Sequence, residues 1–388
     1  MVNRIALAGS LIALALLAGC GGSGLASTPE ATAQAATQTL GLLPSNPRYF
    51  SAPDGKPLLL VGDYCDSAFL DRKSEYDFRG FFDTLHASGL NFARLWVWTG
   101  CEYFPPEFEG RNYIPCLRTG PGLARDGLPK WDLSRFDRAF FQRLQQVCAE
   151  ARKRGLYLQL TLFDAWNIKH AQLWELHAFH RDNNVNGVDG DPRQTGTGTD
   201  GEQGFCSLGN PGVLTYQQQF VLRVIHAVNG FDNILFEIAN ENYYSADWEL
   251  ELCRYLHQIE TRLPRRHLVM PLDLPNHDYG GIKTWTLRDL HANLLQARQL
   301  GQPEIFDTDG IGNPSVEGVR RGFWTVFVSG GHVSYMDGSF QTSSEWGNDP
   351  RTGETRQVPD VTGGAVTRLT APDNNDWALW LRSAMSGE

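Results

Sequence analysis

"FEIANENYYS", residues 236–245, runs as an apolar strand that turns polar at its end. A strand interior favours β-branched and aromatic side chains and disfavours Asn and Glu. Asn240, Glu241 and Asn242 therefore either act at the strand end or are solvated loop residues. The neighbouring sequence separates the two.

Outward from this stretch, strand and helix signals alternate. Upstream lie the apolar runs "NFARLWVW" (91–98) and "LYLQLTLFD" (156–164), and downstream "HLVMPLDL" (267–274), "EIFDTDG" (304–310) and "HVSYMDG" (332–338). Amphipathic runs fill the intervals, among them "FRGFFDTLHASGL", "TYQQQFVLRVIHAVNG" and "ADWELELCRYLHQIETRL". The run "DLSRFDRAFFQRLQQVCAEARKRG" (132–155) predicts one long helix starting at Asp132 and stopping at Gly155. "RYFSAPDGKPLLLVGDY" (48–64) predicts a strand, a turn at Pro53–Lys56 and a second strand. Such alternation predicts a parallel sheet with helices outside it, and eight units make an α/β fold of the closed (β/α)8 TIM-barrel type. Seven strands are legible; the sixth is weak, with "GIKTW" (281–285) as its candidate.

In that fold the loops after the strands build the active face. Three of them, 99–130, 164–212 and 337–372, are long and polar, and "NNVNGVDGDPRQTGTGTDGEQG" (183–204) reads as mobile loop. The strand ends would bring Asp63, Arg94, Trp96, Trp98, Asp164, Trp166, Asn240, Glu241, His277, Asp307, Asp309 and Asp337 to one rim. Acids and aromatics on one rim suit a sugar, since ring faces stack on its CH surface and carboxylates grip and cleave it. Each also has a plainer reading. Trp96 and Trp98 pack equally well as core, Arg94 as a buried ion pair, and Asp307 or Asp309 as a helix cap.

The bulk numbers agree with a globular body. The chain has 388 residues, 41% hydrophobic and 20% charged, which predicts a packed core. Its 11 Trp exceed what a core needs. A formal charge of −10 repels phosphate backbones and argues against nucleic acid as a partner. No fixed-spacing metal motif, G-x-S-x-G elbow or G-x-G-x-x-G fingerprint is present, so no metal or cofactor is expected.

Residues 1–20, "MVNRIALAGSLIALALLAGC", join a basic start at Arg4 to an apolar run and small residues, the pattern of an export signal. "LLAGC" resembles a bacterial lipobox, which implies lipidation of Cys20 and a membrane anchor, at the outer membrane in a Gram-negative cell. Residues 21–43 read as a flexible tether and 44–388 as the barrel. Export permits disulfides, and Cys101 with Cys116 is the first candidate pair. Cys148 and Cys253 fall in helix-like runs, where buried thiols are common. The closing run "DWALWLRSAMSGE" stops without a cap, so a longer chain is expected.

"FEIANEN" resembles the fourth strand of the clan A glycoside hydrolases, retaining (β/α)8 enzymes in which an Asn-Glu pair supplies the general acid/base. "DGKPLLLVGD" is similar to their first strand, "NFARLWVW" to their second, and "PEIFDTDG" and "HVSYMDG" to strands seven and eight of cellulase-like exported members. The resemblance spans residues 47–388. It implies Glu241 as acid/base and Asn240 as a ligand of the sugar 2-hydroxyl. The clan places a nucleophilic Glu about five residues after a Pro in strand seven. Counted from Pro303, that place holds Thr308, between Asp307 and Asp309. Asp309, with Asp307 as its rival, is therefore the expected second carboxylate. The resemblance leaves open a carbohydrate-binding barrel that has lost hydrolysis.

Overall fold

The computed structural model describes residues 39–64, 77–98, 100, 114–270, 280–282, 287–307 and 316–335. Eight strands form one parallel sheet: β1 (Val61–Tyr64), β2 (Phe92–Trp96), β3 (Tyr157–Asp164), β4 (Ile234–Asn240), β5 (Val269–Met270), β6 (Gly280–Ile282), β7 (Glu304–Asp307) and β8 (His332–Tyr335). Their spatial order is β5-β4-β3-β2-β1-β8-β7-β6. From β1 to β5 and from β6 to β8 each strand lies beside its sequence neighbour, and β1 pairs with β8. Among the described residues the sheet is open, with β5 and β6 at its two edges. The weak sixth strand is present and pairs with β7 through Gly280–Ile282.

The helices α1 (Phe78–Ala87), α2 (Arg138–Lys153), α3 (Pro211–Val228), α4 (Ala246–Glu260), α5 (Leu287–Ala297) and α6 (Val316–Ser329) connect the strands. Their starts follow from capping chemistry. Asp77, Asp137, Asn210 and Ser245 each accept a backbone N–H from the first turn, and Pro211 opens α3, where its missing N–H costs nothing. One core cluster joins Phe81, Phe82 and Leu85 of α1, Phe140 and Leu144 of α2 and Phe220 and Val224 of α3 to the outer faces of β2–β4. Burying each such side chain is worth about 1.5–3 kcal/mol. A second cluster, Leu40, Phe50, Leu60, Phe92, Leu235, Met270 and Ile305, joins the N-terminal segment to the starts of the strands. Leu40 is buried and its N–H donates to the Asp232 carbonyl. The last residues of the stretch read as a tether are thus packed against the sheet.

Several expectations change. Asp132 does not start the helix. Residues Pro129–Phe136 form a strand that pairs with Cys116–Leu123, and α2 begins after Asp137. The loop after β2 thus carries a β-hairpin, which the polar, Gly- and Pro-rich composition concealed. The stretch 183–204 is built rather than mobile. Asn184 Nδ2 donates to the carbonyls of Ala178, His180 and Val188, and Asp191 accepts from the N–H groups of Thr195 and Gly196. Its glycines allow close packing: a Cβ at Gly190 or Gly198 would sit 2.6 or 2.7 Å from the Trp174 ring. Cys116 is a buried free thiol 3.7 Å from the Leu133 carbonyl, so the expected Cys101–Cys116 bridge is absent. Its intended partner Cys101 lies outside the described residues.

Candidate active site

The strand register decides what meets inside the sheet. Gln159 on β3 pairs with Arg94 on β2, and Thr161 on β3 pairs with Glu237 on β4. All four side chains converge. Arg94 Nε and Nη2 donate to the two Glu237 oxygens at 2.8 Å each, a bidentate pair with both side chains almost fully buried. Gln159 Nε2 and Thr161 Oγ1 also donate to Glu237 Oε2. A buried ion pair holds only when its remaining polar atoms are satisfied, and this one is dense with partners.

Above this pair the strand ends depart from simple alternation. Leu162 and Phe163, and likewise Ile238 and Ala239, are consecutive members of the outer core cluster. This one-residue slip returns Asp164 and Asn240 to the inner side. Arg94 Nη2 donates to Asn240 Oδ1 at 3.1 Å, and Asn240 Nδ2 donates to Asp164 Oδ1 at 2.9 Å. The amide of Asn240 is thereby oriented from both ends.

Asp164 also caps the short helix Ala165–Ile168 through the Trp166 N–H. Burial pushes the Asp164 carboxyl up to about 6, the Glu241 charge adds to the rise, and the bonds from Asn240 and Trp166 oppose it.

Glu241 follows β4 with φ at 49°, in the left-handed region that non-glycine residues seldom occupy. Its Oε2 sits 2.8 Å from Lys169 Nζ, and its side chain is 18% exposed. Lys169 lies 5.6 Å from the Trp166 ring, and the His170 ring packs against that indole at 4.3 Å. Burial and the Lys169 charge hold the His170 imidazole below its ordinary range.

The structure thus brings Arg94, Asn240, Asp164, Trp166 and Glu241 together. Trp96 joins them, but it is buried with the Arg94 guanidinium 4.5 Å over its ring. Trp98 does not. The slip at Val97 and Trp98 turns it outward, where it packs on Phe163, Phe179 and Phe220 as core. Asp63 is fully buried on β1, in register with Ala93. Asp307 ends β7 opposite Ser334. Asp309, His277, Asp337 and Cys20 lie outside the described residues.

Two residues were missed. Glu237 had a readable signal, since a charge amid the apolar "ILFEIA" requires a buried partner and Arg94 stands likewise in its own strand. Lys169 had no signal beyond its nearness to Asp164. Among the described residues no group of acids, histidines or cysteines could hold a metal ion.

No protein-family model matches the chain, and no curated protein sequence matches it. Solved structures do. A protein of Bacteroides vulgatus described as a glycoside hydrolase superposes with a TM-score of 0.55 at 15% identity, covering 79% of this chain and 56% of that one. The chain therefore spans little more than half the length of that relative. A glycoside hydrolase family 5 mannosidase from Rhizomucor miehei superposes with a TM-score of 0.51 at 15% identity, covering 77% and 86%. A variant of the R. miehei family 5 mannosidase in complex with mannosyl-fructose gives 0.50 at 15%, covering 76% and 85%. At such identities the likeness is one of fold, and the chain shares the α/β fold of glycoside hydrolases, family 5 among them.

Proposed function

We propose that this protein is a glycoside hydrolase whose sheet closes as a (β/α)8 barrel, with Glu241 as its general acid/base. The observation that supports this most is the placement of Glu241. It is a partly exposed carboxylate at the end of β4, next to an Asn whose amide is oriented by Arg94 and Asp164.

Cleavage needs a carboxylic acid to protonate the leaving oxygen and a carboxylate to attack the anomeric carbon or activate water. Glu241 gives the proton, and Asn240 bonds a sugar hydroxyl. Asp309, with Asp307 as rival, is the second carboxylate. Asp is one methylene shorter than Glu, so its backbone must lie closer to the sugar to keep the reaction retaining. A separation of about 5–5.5 Å gives retention and about 6.5–9.5 Å inversion. His277, Asp63 and Asp337 are further candidates for substrate contact. The substrate is an extracellular poly- or oligosaccharide, met by a protein exported and lipid-anchored at Cys20.

One observation favours a second reading, a barrel that binds carbohydrate without cleaving it. The Glu241 carboxylate is already engaged by Lys169 at 2.8 Å, a protein partner that competes with a glycosidic oxygen for it. A glycan panel distinguishes the two readings. Release of new reducing ends by the wild-type chain supports hydrolysis. Calorimetric binding without release supports the second reading, and neither binding nor release removes both.

A further inference from the structure

We propose that Asn242 and Glu249 are positioning residues for Glu241, forming a buried clasp that fixes its carboxylate at the rim. This inference rests on the reading of Glu241 as the acid/base. The backbone supplies the need. A non-glycine residue in the left-handed region costs about 1–3 kcal/mol and persists only where its surroundings over-determine it. Before Glu241, the bond from Arg94 to Asn240 and the one from Asn240 to Asp164 fix the chain. After it, Asn242 is the candidate anchor, because it is buried at 8% exposure and spends its whole amide on the turn. Its Oδ1 accepts the Tyr244 N–H at 3.1 Å, and its Nδ2 donates to the Ser245 carbonyl at 3.1 Å and to Glu249 Oε1 at 2.7 Å.

Glu249 is 1% exposed and stands in the first turn of α4, where the helix end favours a negative charge. That turn is itself immobilised. Ser245 caps it, and the buried Trp248 donates from Nε1 to Gln217 on α3. From the other side, Gly201 packs so closely that a Cβ would lie 2.7 Å from the Tyr244 carbonyl. The path from Glu241 through Asn242 and Glu249 to α4 is continuous, and beyond Glu241 it is buried. A clasp of this kind matters because a misplacement of about 1 Å can cost 10²-fold in rate.

The test uses the full chain and the Asn242→Asp variant, which sets a carboxylate against Glu249. Its partner is the double variant Asn242→Asp/Glu249→Gln, which reverses the bond: the amide introduced on α4 donates back to the carboxylate introduced in the turn. The Ser245 carbonyl loses its donor in both, so the comparison isolates the bond between the two positions. The probes are an unactivated glycoside cleaved by the wild type and the 2,4-dinitrophenyl glycoside of the same sugar, whose leaving group needs no acid. N242D is expected to lose about 10²-fold in kcat/KM on the first probe, with kcat/KM on the second, which reports only the cleavage step that needs no acid, nearly unchanged, and the double variant to recover most of the loss. Crystal structures are expected to show the Glu241 carboxylate displaced in N242D and returned in the double variant.

Equal losses of kcat/KM on both probes, no loss, or a carboxylate that stays within about 0.5 Å would overturn the clasp. If N242D does not fold, Glu249→Leu removes the acceptor without adding charge and is judged by the same outcomes. If the wild type cleaves no glycoside, the acid/base reading fails, and the crystal structures alone decide the clasp.

Discussion

Arg94 and Glu237 meet in two parallel hydrogen bonds of 2.8 Å across β3, in the sealed interior of the sheet. The pair does not reach solvent, yet the same guanidinium holds Asn240. It therefore links the stability of the sheet to the geometry of the rim.

Removing one partner strands a buried charge, which costs about 3–5 kcal/mol, whereas replacing both with apolar residues of similar size is often near neutral. Arg94→Met is expected to destabilise the chain by about that amount in denaturant melts. Arg94→Met/Glu237→Leu is expected to regain most of the stability but not the activity, because Asn240 still lacks its donor. Equal stability of the single and double variants would show that the pair is not the unit described.

Asp164 gives a pH dependence with a definite sign. Its carboxyl is raised to about 6 in the fold from an ordinary 3.8, so the folded state binds a proton that the unfolded state has released. Its contribution is most favourable below about pH 4, declines as pH rises through 4 to 6, and is constant above. The full span is on the order of 3 kcal/mol. Asp164→Asn removes the ionisation and keeps an acceptor for Asn240 and Trp166. Its stability measured from pH 4 to 7 is expected to fall less steeply than that of the wild type; identical slopes would remove Asp164 as the source.

Trp98 and Trp166 are expected to separate cleanly. Trp98→Ala opens a cavity among Phe163, Phe179 and Phe220 and costs about 3–5 kcal/mol in thermal or denaturant unfolding. Trp98→Phe keeps most of the packing and is expected to retain sugar affinity. Trp166→Ala, at the half-buried rim, is expected to weaken affinity with little change in stability. A loss of affinity in Trp98→Phe would return Trp98 to the site.

The centre of the sheet was legible because β2, β3 and β4 are apolar runs whose helices carry strong caps, whereas the short β6 left only a weak signal. Asn240 and Glu241 drew notice as polar groups at the end of an apolar strand, and Arg94 as a charge inside one; the structure places all three side by side. Trp98 was misread for a physical reason. Alternation puts it on the face of Arg94 and Trp96, and a one-residue slip at the strand end, invisible in residue types, reverses it. The hairpin Cys116–Leu123 with Pro129–Phe136 was hidden by glycine and proline, which mark turns and tight β-hairpins alike. The order in residues 183–204 was hidden because it comes from Asn and Asp side chains bonding to backbone, which composition alone cannot distinguish from solvated loop.

The central claim is that Glu241 donates the proton that breaks the glycosidic bond. The most direct measurement is the kcat of Glu241→Gln on an unactivated oligosaccharide cleaved by the wild type, with binding of that oligosaccharide measured calorimetrically. General acid catalysis is worth about 10²–10⁴-fold, so a loss in that range with affinity retained is the expected result. Turnover equal to that of the wild type would contradict the account.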